Sequence, residues 1–118
     1  MLAIARHESG FNPDAAAGST SASGIGQFVD STGEKYGLTL ENVFEIKENT
    51  LALISIFTKE YARSADKKGL TGIDREIRIY ALHHDGPSLK YGGEELSRLH
   101  IIPWVDKIYQ SIDWNMAK

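Results

Sequence analysis

The chain has 118 residues, with 13 Lys plus Arg against 16 Asp plus Glu and no cysteine. A chain of this length buries one hydrophobic core, and its 42% hydrophobic and 25% charged residues lie outside the composition of disordered proteins. Lack of cysteine excludes disulfides, a thiolate nucleophile and Cys-based zinc sites, and a net charge of −3 without a basic stripe argues against nucleic acid as a partner. The longest apolar run, Leu51 to Phe57, is broken by Ser55 and falls far short of the roughly 20 residues a membrane span needs. The first residues, Met1 to Glu8, lack the basic start and long apolar stretch of a signal peptide. Export would have to rely on something else.

Apolar residues recur with helical rather than alternating period, which predicts a mainly α domain. A short first helix, residues 2 to 8, stops at Ser9-Gly10, where glycine takes a left-handed cap without a Cβ penalty. Asn12-Pro13 fixes a turn. Residues 14 to 24 are almost all Ala, Gly, Ser and Thr and are expected to form a close-packed loop. Ile25, Phe28 and Val29 mark a helical turn, and Ser31-Thr32-Gly33-Glu34 fits a capping box opening a short helix that ends near Gly37. Ile46, Leu53, Ile54, Phe57 and Tyr61 define the inner face of a long helix over residues 46 to 67. Ile73, Ile77, Tyr80, Ala81 and His84 share one face of a helix ending at Gly86-Pro87. A last helix opens with Pro103 at its first position and turns Trp104, Val105, Ile108 and Ile112 inward.

Glu8 draws attention because it closes an apolar helix just before a glycine. The negative end of the helix dipole and partial burial both disfavour its ionised form, so its pKa is expected to rise. A carboxylic acid kept protonated near neutrality can hand its proton to a leaving group. The plain alternative is an exposed glutamate that merely ends a helix.

The surroundings decide between the two. Glu8-Ser9-Gly10-Phe11-Asn12-Pro13, about ten small residues, and then Ser23-Gly24-Ile25-Gly26-Gln27-Phe28 resemble the catalytic signature of the lytic transglycosylase SLT family and its phage and plasmid relatives, in the lysozyme-like superfamily. A third block, Tyr80 to Pro87, stands where that family has an alanine-tyrosine-asparagine-alanine-glycine run. The resemblance implies a lysozyme-like single domain of several short helices around a substrate cleft. It makes Glu8 the sole general acid and base. Ser9 would contact the substrate N-acetyl group or orient the glutamate. Gly24, Ile25, Gly26 and Gln27 would line the cleft opposite, with Gln27 touching sugar. The third block departs from the family: His83 replaces the tyrosine and His84 the asparagine, which alters the support of Glu8.

The bland reading of these two histidines is one packed and one solvated, and the other expects at least one to support catalysis. They are no metal site, because neighbours on a helix point about 100° apart and no third ligand is evident. His7 and His100 are read as surface residues. A hydrolytic glycosidase needs a second carboxylate, for which Asp30, Glu34 and Asp85 are the nearest candidates. Asp30 is placed much as goose-type lysozymes place an aspartate, although it also suits an N-terminal cap of the next helix. Among the aromatic residues Tyr36, Tyr80, Tyr91 and Trp104, the pair flanking the third block, Tyr80 and Tyr91, are the candidates for contact with sugar.

The expected function is cleavage of the β-1,4 bond between N-acetylmuramic acid and N-acetylglucosamine in peptidoglycan, with formation of a 1,6-anhydro sugar and without a cofactor. The sequence leaves two alternatives: a hydrolytic muramidase on the same fold, and an inactive wall-binding module. The partner would be the glycan strand, met by a monomer in the periplasm or cell envelope, whether delivered by a phage particle or a secretion system. Only seven residues precede Glu8, which predicts a catalytic module, residues 1 to 118, cut from a longer protein.

Overall fold

The computed structural model describes residues 1–116. Its first helix, α1 (Leu2–Ser9), buries Ala3, Ile4 and Ala5 and ends as the sequence predicts. Gly10 sits at φ 61° and its N–H donates to the Arg6 carbonyl. With three successive residues in the core, α1 is fixed on more than one side. Glu8, one turn after Ile4, is carried by a rigid element despite the helix being short.

The 14–29 segment contains no helical turn. It folds back on itself through backbone bonds, Gly24 N–H to Ala15 O at 2.8 Å, Ala17 N–H to Ala22 O at 3.0 Å and Phe28 N–H to Ser23 O at 3.1 Å. Much of its tip is exposed, so backbone pairing rather than close packing orders it. Helix α2 (Asp30–Lys35) begins one residue before the expected capping box, and no side chain of its own caps it. The hydroxyl of Ser21 takes that role from across the loop, accepting the Asp30 N–H at 3.0 Å.

The long helix forms over the expected span but in three parts: α3 (Ile46–Ile56), a π turn at Phe57–Tyr61, and α4 (Ala62–Lys67). Its inner face differs from the one predicted. Ile46 and Ile54 are exposed, whereas Asn49, Ala52, Leu53 and Ile56 are buried. A polar residue inside and two isoleucines outside defeat any reading by apolarity, and the bonds that Asn49 makes explain the choice. Helix α5 (Gly72–Asp85) buries Ile77, Ile79, Tyr80 and Ala81, ends at Gly86, and leaves Ile73 exposed. It packs against α4, both π turns and the last helices, which makes it the central element.

The final helical run starts earlier than expected: α6 (Gly93–Leu96), a second π turn at Ser97–Ile101, and α7 (Ile102–Ser111). Pro103 therefore lies inside the run rather than opening it. Proline has no N–H, and in a regular helix its ring strikes the carbonyl four residues back. The wider π turn directly before it relieves that conflict. Trp104, Val105 and Ile108 pack on the core from α7, though none is fully buried. The core gathers Ile4, Phe28, Leu53, Ile56, Tyr61, Ile79, Tyr80 and Ile101, each worth about 1.5 to 3 kcal/mol of burial. No described helix is long and apolar enough to cross a membrane.

Candidate active site

A groove of about 700 Å³ runs between the end of α1, the 14–29 loop, the first π turn and the end of α5. Glu8 enters it from α1. The Tyr80 hydroxyl, on α5, donates to Glu8 Oε1 at 3.1 Å. Burial pushes the Glu8 carboxyl above its ordinary pKa, and the Tyr80 bond and the charge of His84 offset this only in part. Burial also drives the Tyr80 phenol far upward, with the nearby Glu8 charge adding to the effect. Tyr80 therefore stays protonated and can only donate to the carboxylate. The result is an acid group held in place by one hydrogen bond and biased toward its protonated form.

His83 does not touch Glu8. Its Nε2 lies 2.8 Å from the Gly26 carbonyl and its Nδ1 lies 3.0 Å from the Tyr61 hydroxyl. A carbonyl only accepts, so Nε2 carries the hydrogen and Nδ1 accepts from Tyr61. Burial pushes the imidazole down to about 4, against the opposing pull of the Gly26 carbonyl. The rings of Phe28 and Tyr61 meet it edge-on, both at 5.7 Å. His83 is a neutral strut joining the loop, the first π turn and α5.

Two glycines of the loop, Gly24 and Gly26, are required by contact. A Cβ on Gly24, which sits at φ 78°, would lie 2.2 Å from Asn49 Nδ2 and 2.5 Å from the Val43 carbonyl oxygen. Buried Asn49 accepts the Gly26 N–H at 2.8 Å and donates to the Val43 carbonyl at 2.9 Å. Ser9 reaches the same loop, its hydroxyl 2.8 Å from the Ile25 carbonyl and 3.0 Å from that of Ala5. Gln27 adopts φ 52°, a conformation costly for a residue with a side chain. Its amide repays the strain by donating to the carbonyls of Ala15 and Gly24 at 3.1 and 3.0 Å.

Of the residues singled out from sequence, Glu8, Gln27, His83 and His84 line the groove. Ser9, Gly24, Ile25 and Gly26 stand behind it as the loop's anchors. Tyr80 is 1% exposed, which leaves no ring face for a sugar, and its contact is with Glu8. Tyr91 is 71% exposed and lies outside the groove. Asp30 faces a neighbouring apolar pocket beside Glu34 and Leu40, apart from Glu8. His7 and His100 are exposed and stack on each other at 5.4 Å, and Trp104 lies under the Arg6 guanidinium, 3.3 Å from its ring centre.

Sequence reasoning gave no site role to three residues that shape the groove, and only a different one to Asp85. Asn49 and Tyr61 are two, hidden on helices by ordinary surroundings. Glu60, from the first π turn, also lines it, and bonds from Lys35 and Tyr36 hold its carboxyl below the ordinary value. Asp85, weighed only as a second carboxylate, has a side chain 1% exposed. Its oxygens accept the Gly93 N–H at 3.0 and 3.1 Å and the His84 Nδ1 at 2.6 Å.

Searches of curated proteins and of solved structures returned no match. A family model, the transglycosylase SLT domain, matches residues 1–73, more than half of the 118. That stretch contains Glu8, the glycine loop with its Asn49 clamp, and the first π turn, while the Tyr80 to Pro87 block lies beyond it. With a mainly helical, lysozyme-like architecture and these elements in one matched segment, the chain belongs to the transglycosylase SLT domain family, whose members act on the glycosidic bonds of peptidoglycan.

Proposed function

We propose that the protein is a lytic transglycosylase that cuts the β-1,4 bond between N-acetylmuramic acid and N-acetylglucosamine, with Glu8 as its general acid and base. The observation that carries this reading is a desolvated carboxyl at the groove, bonded by Tyr80 and raised in pKa. Protonated Glu8 gives its proton to the bridging oxygen as the C1–O bond breaks. The substrate's own 2-acetamido carbonyl shields C1 from the opposite side. The Glu8 carboxylate then takes the proton of the C6 hydroxyl, whose oxygen closes on C1 to give the 1,6-anhydro sugar. Water is not consumed. Peptidoglycan lies outside the cytoplasm, so the site of action is the periplasm or cell envelope, reached as a module of a larger phage or secretion-associated protein.

A second reading, hydrolysis, draws support from Glu60. Two groove carboxyls whose surroundings push them in opposite directions, Glu8 up and Glu60 down, are the pattern of an acid paired with a base. Digestion of purified sacculi followed by mass spectrometry separates the two, because anhydro products are one water lighter than hydrolytic ones. Replacing Glu8 by Gln should lower fragment release at least about 10²-fold. Undiminished release by Glu8→Gln would overturn the assignment, and binding of sacculi without any release by the unaltered protein would make it a wall-binding module.

A further inference from the structure

Buried Asp85 and partly exposed His84 form a carboxylate–imidazole pair in the groove with Glu8 that the reaction described above does not use. The Asp85 carboxylate can only accept, so His84 Nδ1, at 2.6 Å, carries the hydrogen of that bond. Gly93 fixes Asp85 in turn through its N–H, and a Cβ on Gly93 would lie 2.8 Å from Asp85 Oδ1. The ring of His84 is thereby held in one tautomer, with the lone pair of its Nε2 free. Among the described residues nothing bonds that nitrogen, and the side chain, 31% exposed, lines the groove with Glu8.

Other groove carboxylates are engaged. Glu60 is tied to Lys35 and Asp85 is sealed behind His84.

We propose that His84 is a second catalytic residue, a base whose Nε2 accepts the N–H of the substrate's 2-acetamido group while Asp85 holds its ring. The proposal rests on the transglycosylase reading of Glu8. In the first step the acetamido oxygen bonds to C1 as the C1–O4 bond breaks, and O4 takes the Glu8 proton. The acetamido nitrogen becomes acidic as positive charge spreads over it, and its proton shifts toward His84 Nε2. In the second step the C6 oxygen bonds to C1, the bond from the acetamido oxygen breaks, Glu8 takes the C6 hydroxyl proton, and His84 returns its share to nitrogen. Atoms and protons balance with no added reactant.

Activity should fall on the alkaline side, where Glu8 loses its proton. The titratable groups facing His84 are Glu8 and His7 on α1 and Tyr80, His83 and Asp85 on its own helix, with His100 stacked on His7. The test measures initial rates of soluble fragment release from purified sacculi between pH 4 and 9. Four proteins are compared: the parent, Glu8→Gln, His84→Ala and His84→Gln. His84→Ala should lose about 10²-fold in kcat. His84→Gln, whose side-chain carbonyl accepts the same N–H, should regain most of that loss. A His84→Gln rate more than about tenfold below the parent, or a His84→Ala rate within twofold of the parent, overturns the proposal. If circular dichroism shows His84→Ala unfolded, the His84→Gln rate decides alone. Full activity in Glu8→Gln would sink the transglycosylase reading instead, so the two failures are told apart.

Discussion

Replacement of Asn49 by Ala tests whether one buried amide holds the loop opposite Glu8. Truncation removes the acceptor of the Gly26 N–H at 2.8 Å and the donor to the Val43 carbonyl at 2.9 Å. Asn49 is 1% exposed, so water does not readily replace it, and each orphaned group costs about 1 to 3 kcal/mol. Taken near the lower end of that range, the two together come to about 3 kcal/mol. An unfolding entropy of about 2.1 cal/mol/K per residue over 118 residues turns this into a fall in Tm of about 12 °C. Thermal unfolding followed by circular dichroism at pH 7 is the assay. Asn49→Asp adds a sharper comparison: it keeps the acceptor for Gly26 but sets a carboxylate against the Val43 oxygen. Its melting point should lie below that of Asn49→Ala at pH 7 and climb on acidification, when the protonated acid can donate to Val43. An Asn49→Ala protein melting within about 3 °C of the parent would refute the clamp.

Two further predictions concern protons. The Tyr80 hydroxyl favours the ionised form of Glu8, so Tyr80→Phe should raise the Glu8 pKa further and move the alkaline limb of the rate profile to higher pH; an unmoved limb would dissociate the two residues. His83 is held down at about 4, from an ordinary 6.5, so the unfolded chain binds the extra proton between those values. Stability from this residue is complete above pH 6.5 and is lost as pH falls toward 4, by up to about 3 kcal/mol. Urea midpoints at pH 7 and pH 5 should differ less in His83→Gln than in the parent, and an equal difference in both would exclude His83 as the source.

Local signals in the sequence were enough to bring out Glu8 and the glycine loop that shares its groove. Gly10 ends α1 by a backbone conformation that side chains resist, and the Glu8 and Gly24 segments announce themselves by residue type at short range. What escaped the sequence depends on partners far along the chain. Asn49 reads as a polar interruption until Gly26 and Val43 are placed against it. The inner face of α3 was misjudged for the same reason, since one amide with two buried partners outweighs the exposure of Ile46 and Ile54. Neither π turn has a compositional mark, although Pro103 could have hinted at the second. Tyr80 and His83 lie three apart, one helical turn, so a shared face was readable. That one would meet Glu8 and the other Gly26 was not.

The pairing of Glu8 with Tyr80 spans 72 positions, and that of Gly26 with His83 spans 57. Closing loops of that length costs entropy that only a largely folded chain can offset. The groove is therefore among the last features to assemble as the chain folds. Until α5 docks, Glu8 lacks the Tyr80 bond and the burial that raises its pKa. A partly folded molecule has the residues of the groove without their arrangement, so any chemistry the groove performs requires α5 to be docked.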